Sequence, residues 1–219
     1  MIYRPDTLNL FSDASTKSTG HGNKSLAVSY GSVAVTQDTI IDEIYRINTS
    51  SSVPAGELRG LRCSLELALK HRYEFPVINL FSDSLYSINA LRDYINDWEW
   101  NSTDNYYTYN NLHYSHNKYI KNQNLIYECN MILQILRSTN IVNIFHQRGH
   151  INNNNIDMAL KSFAVQNGID HEVSPDIIQY ISKYNNYIDN NSRLLLKKIN
   201  IHDSSYCDPI MFIPRPDIY

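Results

Sequence analysis

Leu8-Asn9-Leu10-Phe11-Ser12-Asp13-Ala14-Ser15 is an apolar run that ends on an acid followed by two small residues. The same pattern returns as Ile78-Asn79-Leu80-Phe81-Ser82-Asp83-Ser84. Each copy reads as a short buried strand that hands one carboxylate to its C-terminal edge, where open α/β sheets bind ligands. Side chains alternate along a strand, so Phe11 shares a face with Asp13 and Phe81 with Asp83. If the two strands are neighbours, the carboxylates meet, and they repel unless a cation lies between them. Hard divalent cations such as Mg²⁺ prefer oxygen ligands. One such Asp alone would more simply cap the following helix; two copies favour the metal reading.

Outward from these strands, Ser15 to Lys24 is polar and carries Gly20 and Gly22, which predicts a turn. Residues 26–35 and 40–47 read as strands, paired as antiparallel hairpins. Pro54-Ala55-Gly56-Glu57 opens a helix to about Arg72, with Leu58, Leu61, Leu65 and Leu69 near helical period. Glu57 falls in its first turn, where the helix dipole favours an anion. A helix over Leu85 to Asp97 follows, then an aromatic- and Asn-rich stretch, Trp98 to Tyr119, without a clean period. The spacing next predicts a helix over 123–136, a strand over 141–145, a loop His146 to His150 and a helix over 152–166. Two more amphipathic helices, 175–187 and 191–201, precede a Pro-punctuated tail, Asp208 to Tyr219. The sum is a mixed sheet with helices on its faces. Glu43 and Glu66 read as solvated.

The chain has 219 residues and a formal charge of −3, enough for one domain with an appendix and too weakly charged to grip nucleic acid by bulk positive charge. Cys63, Cys129 and Cys207 show neither metal spacing nor a disulfide framework, which fits a reducing compartment. Met1 to Thr7 does not open a signal peptide. No apolar run approaches the ~20 residues of a membrane span. The expected setting is intracellular, in cytoplasm or at a site of replication, without a membrane partner.

The series LFSDAS, AGELRGLRCSLELAL, LFSDSLYSINAL, KNQNLIYECNMIL and GHINNNNIDMAL resembles ribonuclease H of the type 1 fold, in order, over about residues 7–168. The resemblance implies a five-stranded mixed sheet flanked by helices, in a catalytic domain of residues 1–168. Residues 169–219 are then a helical C-terminal extension that packs on the core or docks a partner, a second copy included. It places the four metal carboxylates on Asp13, Glu57, Asp83 and Asp157, holding two Mg²⁺ ions for which Mn²⁺ can substitute. One ion activates the attacking water and the other stabilises the leaving 3′-oxygen, roughly 3.5–4 Å apart. The implied substrate is the RNA strand of an RNA–DNA hybrid, read through its 2′-hydroxyls. The implied nucleic-acid contacts are Ser15, Ser52, Ser84, Lys121 and Asn122, the last two matching the family's Lys-Asn pair. The family's loop histidine lies about ten residues before the last acid; His146 is eleven before Asp157 and His150 seven. Both are candidates, and His146 is preferred.

Two departures bear on substrate choice. Val53 and Pro54 stand where the family usually has Asn residues that contact bases and 2′-hydroxyls. The region of the family's basic protrusion holds Lys118 and Lys121 but also Asp97, Glu99 and Asp104. Other readings are a nuclease of this fold with another nucleic-acid substrate, or a non-catalytic nucleic-acid-binding or scaffold protein. A proofreading exonuclease would need Asp-x-Glu on the first strand, and an integrase more often closes with Glu. Retention of the acids argues against a relic, because a dead site has no reason to keep a repelling cluster.

Overall fold

The computed structural model describes residues 4–18, 26–101, 106–109, 120–149, 151, 155–170 and 173–198. Gly20, Gly22, Asp104, Lys118, His150, Cys207 and the tail Asp208 to Tyr219 lie outside them. Strands β1 (Thr7–Ser18), β2 (Leu26–Thr36) and β3 (Thr39–Ser51) form an antiparallel meander. Strands β4 (Val77–Ser82) and, after the Trp98–Asn101 and Tyr106–Tyr109 ribbon (β5 and β6), β7 (Ile141–His146) add parallel to β1. The sheet order is β3-β2-β1-β4-β7. This is the mixed five-stranded sheet of the ribonuclease H-like fold, flanked by helices.

Helices α1 (Val53–His71), α2 (Leu85–Arg92) and α3 (Gln123–Arg137) cover one face. Leu58, Leu61 and Leu65 meet Leu8, Leu10, Ile78 and Leu80 there, with Ile132 and Leu133 closing the layer. Helices α4 (Ile156–Gln166) and α5 (Pro175–Lys198) cover the other, where Phe163, Ile178, Ile181, Tyr184 and Ile188 bury Phe11, Phe81, Val33 and Val35. The strand period of two thus sends Leu8 and Leu10 to one layer and Phe11 to the other.

Two side-chain rows fix the register of the parallel strands. Asn143 Nδ2 donates to Asn79 Oδ1 (2.9 Å), Asn79 Nδ2 to Asn9 Oδ1 (2.9 Å), and Asn9 Nδ2 to the Tyr180 hydroxyl (3.3 Å). Buried carboxamides need partners, and this chain supplies them. Two residues on, Phe11 stacks on Phe81 (4.8 Å between centroids) and Phe81 on Phe145 (5.2 Å).

The structure revises four local expectations. Strand β1 does not end at Asp13 but runs to Ser18, because residues 13–18 pair in register with β2. The helix expected to Asp97 stops at Arg92, where Asp93 caps it, and a 3₁₀ turn follows over Tyr94–Asp97. The two C-terminal helices are one continuous helix, α5. The polar run that suggested a break is tied sideways instead: Asp189 to Ser15 and Asn191 to the Tyr45 hydroxyl. Glu66 is not solvated: its side chain is 7% exposed and paired with Arg46 (2.8 Å) and Arg62 (3.1 Å), the latter also reaching Glu128 (2.9 Å). Arg46 is remote in sequence, so the pairing shows only once β3 lies against α1.

Candidate metal centre

The parallel pairing of β1 with β4 ends at Ser12 and Ser82. Asp13 and Asp83 follow immediately, at the mouth that opens as β1 continues with β2 alone. Helix α1 approaches this point closely: a Cβ on Gly60 would lie 3.1 Å from the Asp13 carbonyl oxygen. The absence of a side chain there lets the helix settle on β1 and present Glu57, one turn earlier. Ser52 caps α1, its Oγ accepting from the Ala55 amide (3.4 Å).

Among the described residues, Asp13, Glu57 and Asp83 offer carboxylate oxygens all within 4.8 Å of one another. Asp13 is only 7% exposed, and its Oδ1 accepts from the Ala14 amide (2.7 Å). Burial, then the charge of Asp83, pushes Asp13 up to about 8. Burial, then Asp13 and Asp83, pushes Glu57 up to about 9. Glu57 Oε2 is buried with no hydrogen-bond partner. An orphaned buried carboxylate oxygen is costly, and two near carboxylates stay ionised together only if a cation joins them. The donor set is all oxygen, which suits a hard divalent ion.

Asp157 lies in the first turn of α4, exposed, outside that group of three. His146 ends β7, half-buried, and its Nε2 donates to the Asp83 carbonyl oxygen (3.2 Å). Its backbone is clamped by Asn167, which accepts from the His146 amide and donates to its carbonyl, both at 2.8 Å. Burial holds the imidazole below its ordinary value, partly opposed by the Asp83 carbonyl, so it is neutral at pH 7. His150 lies outside the described residues. Gly149 packs against Asp83: a Cβ there would run into Asp83 Oδ2.

Ser84 caps α2, its Oγ accepting from the Ser87 amide (3.3 Å). Tyr86 ties α2 to the start of α3, its hydroxyl donating to the Lys121 carbonyl oxygen (2.8 Å) and accepting from Asn122 Nδ2 (3.4 Å). Asn122 holds a left-handed backbone, φ 59°, which Asn tolerates. Ser84 thus caps α2 while Lys121 and Asn122 precede α3, and Tyr86 links the two helix N-termini. Ser15 is engaged elsewhere: its Oγ donates to Asp189 Oδ1 (2.9 Å).

Helix α5 reaches this centre at residues that spacing did not reveal. Asp189 raises both Asp13 and Glu57, and is itself paired with Arg193 Nε (2.8 Å). Gln147, buried, donates to Asn185 Oδ1 (2.6 Å). The available signal was a polar series, Asn185, Asp189 and Ser192, within the apolar stripe Ile181, Ile188 and Leu196.

A family model described as RNase H matches residues 5–165. The chain belongs to the ribonuclease H family. Its fold and its cluster of acids that could hold a divalent metal are those of a hydrolytic enzyme of the RNase H type. Among solved structures, prototype foamy virus protease-reverse transcriptase is similar over 91% of this chain and 22% of its own, at 14% identity and TM-score 0.54. The chain thus spans about a fifth of that protein's length. The foamy virus RNase H domain alone gives 16% identity, 74% and 94% coverage and TM-score 0.49. RNase H1 from Halobacterium salinarum gives 18%, 65% and 86%, and 0.41. No curated protein sequence matches the chain. No helix among the described residues is long and apolar enough to cross a membrane.

Proposed function

We propose that the chain is an endonuclease that uses Mg²⁺ to cut the RNA strand of RNA–DNA hybrids. The observation that carries this reading is the convergence of Asp13, Glu57 and Asp83 within 4.8 Å, with a buried Glu57 oxygen unsatisfied. These three residues would hold the ions, and Asp157 would join them from the first turn of α4. When bound, two such ions activate the attacking water and stabilise the leaving 3′-oxygen.

The chain's own groups do the rest. Neutral His146, oriented by the Asp83 carbonyl, carries a proton between the cleaved phosphodiester and solvent. His150 is the alternative for that role. Ser84, Lys121 and Asn122 take a backbone phosphate of the DNA strand, favoured by the two helix N-termini they flank. Ser52, at the start of α1, would meet the RNA strand in this reading. Val53 and Pro54 offer no hydrogen-bond donors from their side chains, so 2′-hydroxyl recognition rests on backbone groups and on duplex shape. An intracellular setting is part of this reading, and Cys63 and Cys129 are both buried in the core.

The test is incubation of labelled RNA–DNA hybrid, double-stranded RNA and single strands with the protein, with and without Mg²⁺. Metal-dependent cutting confined to the RNA of the hybrid is the expected result. No cutting of the hybrid, or cutting in the presence of chelator, overturns the proposal.

A further inference from the structure

Helix α5 lies along β1 and β2 in a fixed alignment. Tyr180 meets Asn9, Asp189 meets Ser15, the Ser192 carbonyl accepts from Ser29 Oγ (2.7 Å), and Leu196 packs on Ala27. Ala27 is the register partner of Lys17 on β1. Lys17 is exposed, and it stands two and four residues beyond Ser15 and Asp13, on their side of the strand. Arg193 is 56% exposed, with its Nε held by Asp189. Lys197, also exposed, follows one turn later on the same side of α5. Arg193 is near enough to Asp13 to oppose the upward push on its carboxyl. Lys17, Arg193 and Lys197 therefore form one basic strip that starts at the metal centre and runs outward over the β1–β2 face.

We infer that this strip, built mainly by the helix beyond the family-matched residues 5–165, binds backbone phosphates of the nucleic acid as it leaves the catalytic centre. The inference rests on the nuclease reading above and adds to it a contact surface on the C-terminal helix. The centre is acidic, and the chain's formal charge is −3, so a polyanion needs local cations to approach it. Asp189 has a defined part: its bidding for Arg193 Nε fixes the guanidinium root, leaving the terminal nitrogens for a phosphate, which they meet in fork geometry. Arg193 and Lys197 stand ~6 Å apart along the axis, so each addresses a separate phosphate. The strip carries no base-reading geometry, so it contributes affinity without sequence preference.

The test uses the full chain, an end-labelled RNA–DNA hybrid and fluorescence anisotropy at several salt concentrations, together with kcat and KM for cleavage. The R193Q/K197Q variant is expected to raise Kd about tenfold and to lower the slope of log K against log salt by about 2, one per phosphate lost. The kinetic loss falls on KM rather than kcat. K17Q alone lowers the slope by about 1, and R193K, which keeps the charge, retains most of the affinity. Unchanged Kd and slope in R193Q/K197Q, with a wild type that binds and cuts, overturns the strip and leaves the nuclease reading intact. A weaker Kd with an unaltered salt slope also overturns it, since the loss is then structural. A wild type that neither binds nor cuts the hybrid overturns the nuclease reading and the strip with it.

Discussion

Removing α5 should unfold the sheet rather than trim it. A chain ending at Asp170 loses Ile178, Tyr180, Ile181, Tyr184, Ile188 and Leu196, all buried, and uncovers Phe11 and Phe81. At roughly 1.5–3 kcal/mol for each buried large side chain, the loss is roughly 9–18 kcal/mol. That is an upper figure, because a denatured chain already hides part of this surface. It still overlaps the roughly 5–15 kcal/mol by which a whole domain is stable. The truncated chain should therefore show no cooperative melt and should associate in light scattering. A graded form is Ile181→Ala, a fully buried site, expected to cost about 2–5 kcal/mol. At about 2–4 °C per kcal/mol for a chain of this size, Tm falls by roughly 4–20 °C. Thermal melts by circular dichroism, far- and near-ultraviolet, measure both. A truncated chain that melts cooperatively within a few degrees of the full chain would refute the reasoning, as would an Ile181→Ala variant with unaltered Tm.

Asp13→Asn should abolish cleavage, raise the Tm of the metal-free protein near pH 8 and erase the further rise on adding Mg²⁺, since one repelling charge and one ligand go together; paired melts with chelator and with Mg²⁺ decide it. In the metal-free protein Asp13 and Glu57 titrate at about 8 and about 9, above the ~4 of unfolded carboxyls. Their contribution to stability is complete below pH ~4 and is lost as pH rises through 8 to 9, so Mg²⁺ should stabilise the protein more at high pH than near pH ~5. A Mg²⁺ increment independent of pH would contradict this. His146→Ala should slow turnover by about 10²-fold while leaving the Mg²⁺-dependent Tm rise in place; if His150→Ala is the damaging change instead, the proton carrier is His150. Gly149→Ala should displace the Asp83 carboxylate and lower kcat by about 10²-fold, read from initial rates at saturating hybrid.

The clustered carboxylates of Asp13, Glu57 and Asp83 were legible because each sits in a local frame with a period: an apolar strand ending on an acid, twice, and a helix whose first turn carries Glu57. What escaped was set by tertiary contact. Asp189 carried only the sign of a polar series within an apolar stripe, which does not say what it meets; the lie of α5 across β1 brings it to Ser15. Glu66 read as solvated because Arg46, one of its two partners, is on a strand the helix had yet to meet. The extent of β1 was misjudged because Asp13 to Ser18 is polar, and its pairing energy comes from β2 rather than from burial of its own side chains. The third parallel strand carries the same Asn-x-Phe triplet, Asn143-Ile144-Phe145. It could have been found by repeat, yet it continues as His146-Gln147 where the other two have Ser-Asp, and so drew no notice.

Those three triplets turn the assembly of the catalytic centre into an all-or-none event. A slip of one residue between β1 and β4 would exchange the faces of every side chain. A slip of two would carry Asp13 ~6.6 Å past Asp83 and set carboxamides against phenyl rings. Every pairing but the native one therefore leaves unmet amides inside the sheet and no metal site at its edge. On the proposed reading, metal capture by this chain would be a direct readout of correct threading. A population that bound a divalent ion there would have its strands in order, and a misthreaded fraction would be silent toward the ion whatever its content of strand and helix.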